Sequence, residues 1–185
     1  MKIFGLDECC KFLNKNLDEI KISDLRVIAE LERPSAHKYY DFVDRSSKEK
    51  EEDVVKGKHG ELIAMIALAK FGYKILVGVT ISDQDDPPNP DDGTDFKIEL
   101  SKNKQGIQVK TCEGYFNINS EHQEDLIKEC FKKNTKILIC HHLLKSYKIR
   151  YLTENIFNDN LLNSTQDNGY KYIMPSKIPE FTGQF

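Results

Sequence analysis

Two neighbouring segments of the chain alternate apolar and polar residues, and this pattern predicts two β-strands. The first segment is residues 93–100 and the second is residues 107–111, with a short polar stretch between them. Successive side chains of a strand point to opposite faces, so each segment has one apolar and one polar face. If both apolar faces contact the same core, the register has to keep that parity. The pattern therefore predicts a β-hairpin with one polar face.

Three side chains of different chemistry fall on this polar face: Asp95 on the first strand, and Gln108 and Lys110 on the second. A carboxylate, an amide oxygen and an ammonium group that converge can hold a divalent cation beside a phosphate. Asp91 and Asp92 compete with Asp95 for the metal-binding role. We favour Asp95 because only it is followed by a strand with the required parity.

The rest of the chain predicts an alternation of helices and strands. Residues 57–72 are apolar almost all round and predict a buried helix, with Glu61 in its first turn. Glu61 is either partnered by a cation or Lys110, or exposed at the helix start. Upstream, residues 6–50 predict helices, one of them capped by Ser23. The other predicted elements are strands at residues 73–79, 136–140 and 148–152 and an amphipathic helix at residues 121–133.

This arrangement resembles the PD-(D/E)XK nuclease superfamily. Its pattern is an acidic residue at the start of one strand, then Glu, Asp or Gln, any residue, and Lys on the neighbouring strand; here these are Asp95 and Gln108-Val109-Lys110. Many members carry a Glu on a preceding helix, and Glu61 fits that role. The resemblance implies an α/β fold, a restriction-endonuclease-like αβββαβ core with a mixed central sheet flanked by helices, plus a helical N-terminal section.

The resemblance also implies a Mg²⁺-dependent DNA endonuclease, with Mn²⁺ as a possible substitute. Asp95 would be the central metal ligand, joined by the Gln108 side chain, the Val109 carbonyl and Glu61, while Lys110 would act on the attacking water and the phosphate. Glu61, Asp95, Gln108 and Lys110 are thus the expected catalytic residues. Gln108 departs from the commonest pattern, because an amide is a weaker ligand than a carboxylate. The alternative is a non-catalytic DNA- or protein-binding module with a degenerate site.

Chain length and charge set the expected organisation and partners. A length of 185 residues predicts one nuclease domain, with a helical section (1–55), a catalytic core (56–153) and a C-terminal extension (154–185). The net charge is −3, but residues 97–150 contain 11 basic and 6 acidic residues, which indicates a local surface for double-stranded DNA. Because the rest of the protein is acidic, we expect it to need a partner for DNA binding. The alternative interpretation is that the lysines of this section only keep the end of a helix hydrated.

Size and acidity are similar to those of the small catalytic subunit of a heterodimeric type IIS restriction enzyme. We therefore expect a DNA-recognising partner subunit or a second copy of the chain. A homodimeric restriction enzyme and a repair or junction nuclease remain open.

Several other functions are not expected. The longest apolar run, residues 62–69, is too short to span a membrane, and no signal peptide is visible, so we expect a cytoplasmic protein. Five cysteines without a Cys-x-x-Cys pair indicate reduced thiols rather than a zinc site. His59 and the adjacent His141 and His142 suggest a rival catalytic scheme, but neighbouring strand residues point apart, and Cys112 has no obvious His partner.

Overall fold

Five strands form the central sheet of the computed structural model, which describes residues 2–35, 46–82, 94–118, 121–143, 146–163 and 170–185. Across the sheet they run β2-β4-β5-β7-β8, and every neighbouring pair is antiparallel except β5 and β7. Helices flank this sheet, so the predicted α/β class with a mixed central sheet is confirmed. The strands are β1 (Lys2–Phe4), β2 (Ile75–Val77), β3 (Val79–Ile81), β4 (Phe96–Leu100), β5 (Asn103–Cys112), β6 (Phe116–Ile118), β7 (Lys136–Leu143), β8 (Ser146–Leu152), β9 (Leu162–Asn163) and β10 (Lys171–Ile173). The α-helices are α1 (Leu6–Leu13), α2 (Ile22–Ala29), α3 (Ser47–Lys70), α4 (Glu121–Lys132) and α5 (Glu154–Asn160).

The longest helix, α3, begins earlier than its apolar pattern predicts. Ser46 caps it: the Ser46 hydroxyl accepts from the Glu49 backbone N–H at 3.3 Å, and the Glu49 carboxylate accepts from the Ser46 N–H at 2.9 Å. The mixed-charge residues that follow are therefore helical. The expectation that Glu61 lies in the first turn is wrong, because Glu61 lies in the middle of α3, beyond the reach of the helix N-terminus.

The predicted β-hairpin is confirmed as β4 and β5. Its turn is Ser101-Lys102, and both residues have positive φ (50° and 66°), which is typical of tight two-residue hairpin turns. Strand β4 pairs with β5 only as far as Ile107, whereas β5 runs on to Cys112, where its only strand partner within the described residues is β7. This step in the sheet leaves one edge of the second half of β5 free of a β4 partner.

Two hydrophobic cores lie on the two faces of the sheet. On one face, α2 and α3 cover the apolar residues of the hairpin and alternate residues of β7. On the other, α4, α5 and a small sheet in the order β6-β10-β9 cover the remaining residues of β7 and the end of β5. Because β7 is covered on both faces, Ile137–Cys140 are all buried, as the continuous apolar pattern predicts.

The strand predicted at residues 73–79 is two strands in two sheets. Strand β2 pairs with β4 in the central sheet, while β3 pairs with β1 in a separate two-stranded sheet. Gly78 lies between them, and a Cβ atom there would lie 2.2 Å from the Phe4 carbonyl oxygen. The chain therefore changes sheets at a glycine that lets two backbones approach closely.

The N-terminal section is helical, as predicted, but Ser23 does not cap α2. Lys21 is the N-cap residue, and its backbone N–H donates to Asp24 at 2.8 Å. The section packs against α3, which continues across position 55. Within the described ranges, no helix combines the length and apolar character that crossing a bilayer requires.

Candidate active site

The candidate site lies at the step where β5 extends beyond β4. Asp95 immediately precedes β4, and its backbone N–H donates to the Ile107 carbonyl at 2.8 Å, which ends the ladder between the two strands. By parity Asp95 lies opposite Gln108, as the sequence predicts. The carboxylate of Asp95 thereby reaches the free edge of β5.

Two groups of β5 donate hydrogen bonds to the same oxygen of Asp95. The Gln108 side-chain Nε2 lies 2.7 Å from Asp95 Oδ2, and the Val109 backbone N lies 2.5 Å from it. The N–H and C=O of one strand residue point to the same edge, so the Val109 carbonyl also faces this edge. Gln108 Nε2 donates to that carbonyl at 3.3 Å. The Asp95 carboxylate, the Gln108 amide and the Val109 carbonyl therefore cluster at one point.

Glu61 reaches the same region from α3, and Gly60 allows the helix to pack closely on the sheet. A Cβ atom at Gly60 would lie 2.1 Å from the Thr111 Oγ1. Glu61 is buried, with its side chain 11% exposed, and its Oε2 accepts from Lys58 Nζ at 2.8 Å. Lys58 and Glu61 are three residues apart and so share one face of the helix.

The surroundings of Asp95 favour the protonated form of its carboxyl group. Burial, followed by the nearby Glu61 carboxylate, raises the pKa of Asp95 to about 8. The ammonium groups of Lys58 and Lys110 and the hydrogen bond from Val109 act in the opposite direction but do not offset these two effects. A bound cation would favour the ionised form of Asp95.

Glu61 and Lys58 form a buried ion pair in which burial disfavours the charge of both groups. Burial raises the pKa of Glu61, while Lys58 partly counteracts that shift. Burial works against the charge of Lys58, yet Glu61 and Asp95 outweigh it, so the pKa of Lys58 is raised and the amine stays protonated. Lys58 is therefore held by the carboxylates of the site.

Lys110 completes the polar cluster. It lies on β5 two residues beyond Gln108, on the same face, and it is partly exposed. Its positive charge acts on both Glu61 and Asp95. The structure thus brings together the five residues that the sequence predicts, Glu61, Asp95, Gln108, Val109 and Lys110; their roles stay predictions. Asp91 and Asp92 lie outside the described residues.

Two charged residues near the site, Lys58 and Glu32, were not predicted from the sequence to belong to it. Lys58 could have been found, because it lies one helical turn before Glu61. Glu32, in the 3₁₀ segment Glu30–Ser35, is fully buried, and it accepts from the Ser82 backbone N–H at 2.5 Å. Its charge acts on both Glu61 and Lys58. No local pattern marks Glu32, because its environment comes from segments distant in the sequence.

The donor set at the step fits a hard divalent cation. Asp95, Glu61, the Gln108 amide oxygen and the Val109 carbonyl are all oxygen donors, which Mg²⁺ prefers. No three His, Cys, Asp or Glu side chains within the described ranges are grouped so that they alone could hold a metal ion. An ion here would therefore depend on the amide and the backbone oxygen as well as on the two carboxylates. Gln108 now offers its N–H₂ to Asp95 and would have to present its oxygen instead.

The histidines belong to a different cluster. His59 is buried within α3, and its Nε2 bonds the Ile22 carbonyl oxygen at 2.9 Å. The His142 ring packs edge-on against Tyr147, with a centroid distance of 4.1 Å, and burial followed by His59 lowers the pKa of His142 to about 4. Burial raises the pKa of Cys112 to about 11, which disfavours the thiolate. These residues pack as parts of the fold.

Comparison with known proteins gives a similarity to solved structures but no match in sequence. No family model matches the chain, and no curated protein matches it. The structure of Archaeoglobus fulgidus Hjc, a Holliday junction resolvase from an archaeal hyperthermophile, is similar with 15% identity and a TM-score of 0.41, over 65% of this chain and 94% of that one. At this degree of similarity, a functional assignment depends on the side chains of the site itself.

Proposed function

We propose that the chain is a Mg²⁺-dependent DNA endonuclease of the PD-(D/E)XK type, which hydrolyses phosphodiester bonds in double-stranded DNA. The observation that carries this proposal is the convergence of Asp95, Glu61, Gln108 and Lys110 at the step between β4 and β5. Two buried carboxylates with raised pKa values, two amines and a backbone carbonyl are suited to a cation and a phosphate.

The residues divide the work of hydrolysis as follows. Asp95, Glu61, Gln108 and the Val109 carbonyl would hold the Mg²⁺ ion. When bound, the ion would lower the pKa of the attacking water and neutralise charge on the phosphate. Mn²⁺ would be accepted by the same oxygen donors.

Lys110 is the group best placed to act on the substrate. It is partly exposed, whereas Lys58 is fixed by its 2.8 Å contact with Glu61. Lys110 would orient the attacking water or take its proton and would stabilise negative charge on the phosphate. Lys58 would hold the Glu61 carboxylate in place and keep part of its charge compensated.

Restriction-type cleavage with a partner is the most specific form of the proposal. The described part of the chain contains one candidate site, so cutting both strands in a single binding event would require a partner subunit or a second copy. The acidic net charge of −3 supports the need for such help in DNA binding. We place this enzyme in the cytoplasm, where it would meet DNA with its thiols reduced.

The test is cleavage of supercoiled plasmid with Mg²⁺, alone and with candidate partner proteins. The wild type should convert supercoiled DNA to open circles if it cuts one strand and to linear DNA if it cuts both. Lys110→Ala should slow the reaction by roughly 10²–10⁴-fold, the usual contribution of a positioned acid–base group. Lys132→Ala, which removes an exposed lysine at the end of α4, should cleave like the wild type.

A non-catalytic module would give a different result. The plasmid would stay intact with the wild type and with Lys110→Ala, whatever partner was added. Equal cleavage by the wild type and Lys110→Ala would also contradict the proposal, because the activity would then come from elsewhere.

A further inference from the structure

An open groove with a volume of about 580 Å³ lies at the turn end of the β4–β5 hairpin. One wall is the hairpin from Thr94 to Gly106, and the other is the connection from α4 to β7. Among the described residues that line it, four are lysines and none is acidic or aromatic; the lysines are Lys97, Lys104, Lys133 and Lys136. We call this feature the lysine groove.

One hydrogen bond joins the two walls, and a second lies within the connection from α4 to β7. The Gln105 side chain on β5 donates to the Asn134 carbonyl at 2.6 Å, and Lys136 Nζ donates to the Asn134 Oδ1 at 2.9 Å. Asn134 has a left-handed backbone (φ 56°), which lets the chain turn sharply from α4 into β7. The groove is therefore built by the fold and does not consist of lysines on a flat surface.

The lysine groove continues the polar face that carries the candidate site. On β5, Lys104, Gly106 and Gln108 share a face, and on β4 Lys97 shares a face with Asp95, because strand side chains alternate. Residues two apart on a strand are separated by about 6.6 Å. Thr94 and Gly106 connect the two features, since a Cβ atom at Gly106 would lie 2.4 Å from the Thr94 methyl carbon. A strand of nucleic acid that left the site along this face would enter the groove.

Among the described residues, two glutamates lie next to the groove. Glu99 pairs with Lys74 at 3.0 Å, and neither residue lines the groove. Glu129 on α4 contacts Lys133 at 3.6 Å and Lys132 at 3.9 Å, and it is outside the lining as well. Along the described lining, positive charge therefore predominates, with Lys133 partly compensated by Glu129.

We propose that the lysine groove binds the phosphates of the DNA strand that continues from the cleaved bond. This inference rests on the nuclease function proposed above and gives it a substrate-binding surface. The lining provides ammonium, amide and hydroxyl donors for phosphate oxygens. With no aromatic side chain on the described lining to stack on a base, contact to the backbone is favoured, so the groove contributes affinity without sequence preference.

The test is the salt dependence of DNA binding, measured by fluorescence anisotropy with a labelled duplex in EDTA so that no cleavage occurs. Lys104→Ala and Lys133→Ala should each lower the slope of log affinity against log salt by about 0.9, the value for one lost phosphate contact. At ~0.1 M salt this corresponds to roughly eightfold weaker binding for each variant. Lys132→Ala is the matched control, because Lys132 adjoins Lys133 but does not line the groove. It should keep the wild-type slope.

Each possible outcome decides one of the two proposals. If the wild type cleaves plasmid but Lys104→Ala and Lys133→Ala keep its salt slope, the groove proposal is wrong and the nuclease proposal stands. If the slopes fall as expected but no plasmid is cut with any partner, the groove binds DNA and the nuclease proposal fails. If the two variants lose binding of inorganic phosphate alone while duplex binding is unchanged, the groove is a site for small anions, which also overturns the inference.

Discussion

The two ends of the polar face of the β4–β5 hairpin differ in the sign of their charges and in how deeply these charges are buried. At the candidate site, Asp95 and Glu61 are enclosed, and their carboxylates depend on Lys58 and Lys110 for compensation. In the lysine groove, the charges are positive and face the solvent. Buried charges interact strongly and are costly to leave unpaired, whereas exposed charges are screened. One pair of strands can thus carry buried charges for catalysis at one end and exposed charges for DNA binding at the other.

The largest effect is expected from a substitution that breaks the buried ion pair of the site. Lys58→Met should lower the free energy of unfolding by about 3–5 kcal/mol at pH 8, because it leaves Glu61 and Asp95 close together without the ammonium group. Lys56→Met is the matched control on the same helix, since Lys56 pairs at 2.8 Å with Glu113, whose side chain is 61% exposed. Its cost should be about 0–1 kcal/mol.

Urea denaturation of both variants without metal measures this difference. The loss in Lys58→Met should shrink as the pH falls from 8 to 5, because protonation of the carboxylates removes the unpaired charge. Equal losses for the two variants would show that the Lys58–Glu61 pair behaves like a surface contact.

The sequence predicts the hairpin and its polar face because that information is local. Alternation over a few residues fixes which side chains share a face, so the approach of Asp95 to Gln108 follows from parity. The start of α3 was also readable, since Ser46 and Glu49 have the spacing of a capping box, but the charged residues after them resemble a linker. Parity thus predicts a contact that needs only two adjacent strands.

The environment of Lys58 and Glu32 could not be predicted in this way, although the helical spacing of Lys58 from Glu61 is visible in the sequence. Their surroundings combine α3, the segment before β4 and the 3₁₀ segment near residue 32, which no periodic pattern connects. Gly78 is a similar case, because the switch between two sheets depends on a close approach to Phe4. Tertiary packing decides these features after local structure has formed.

An intermediate effect is expected from pH, which sharpens the contrast between buried and exposed charge. The pKa of Asp95 is raised to about 8, so metal binding below that pH has to displace a proton. The affinity for Mg²⁺ should therefore rise as the pH increases, by roughly tenfold per unit below pH 8, and level off above it. Titration calorimetry at pH 6, 7, 8 and 9 measures the profile. An affinity that stays constant between pH 6 and pH 8 would contradict the enclosed environment of Asp95.

A smaller effect is expected from restoring a carboxylate on β5. Gln108→Glu adds an anionic oxygen donor beside Asp95, so Mg²⁺ affinity should rise by roughly tenfold, because ligand charge tunes the affinity of such sites. The metal-free variant should be less stable than the wild type, since a third carboxylate joins two that already repel each other. Calorimetry and thermal melting with and without Mg²⁺ report both changes. Weaker metal binding by Gln108→Glu would mean that position 108 does not face the ion.

Binding of a divalent ion by Asp95 is the central claim, and titration of Mg²⁺ into the metal-free protein at pH 8.5 tests it most directly. The wild type should bind with a saturable heat signal, and Asp95→Asn, which keeps the side-chain shape, should abolish it. Asp125→Asn, at an exposed position on α4, should bind like the wild type. Saturable binding that survives in Asp95→Asn, or no binding by the wild type, would contradict the account.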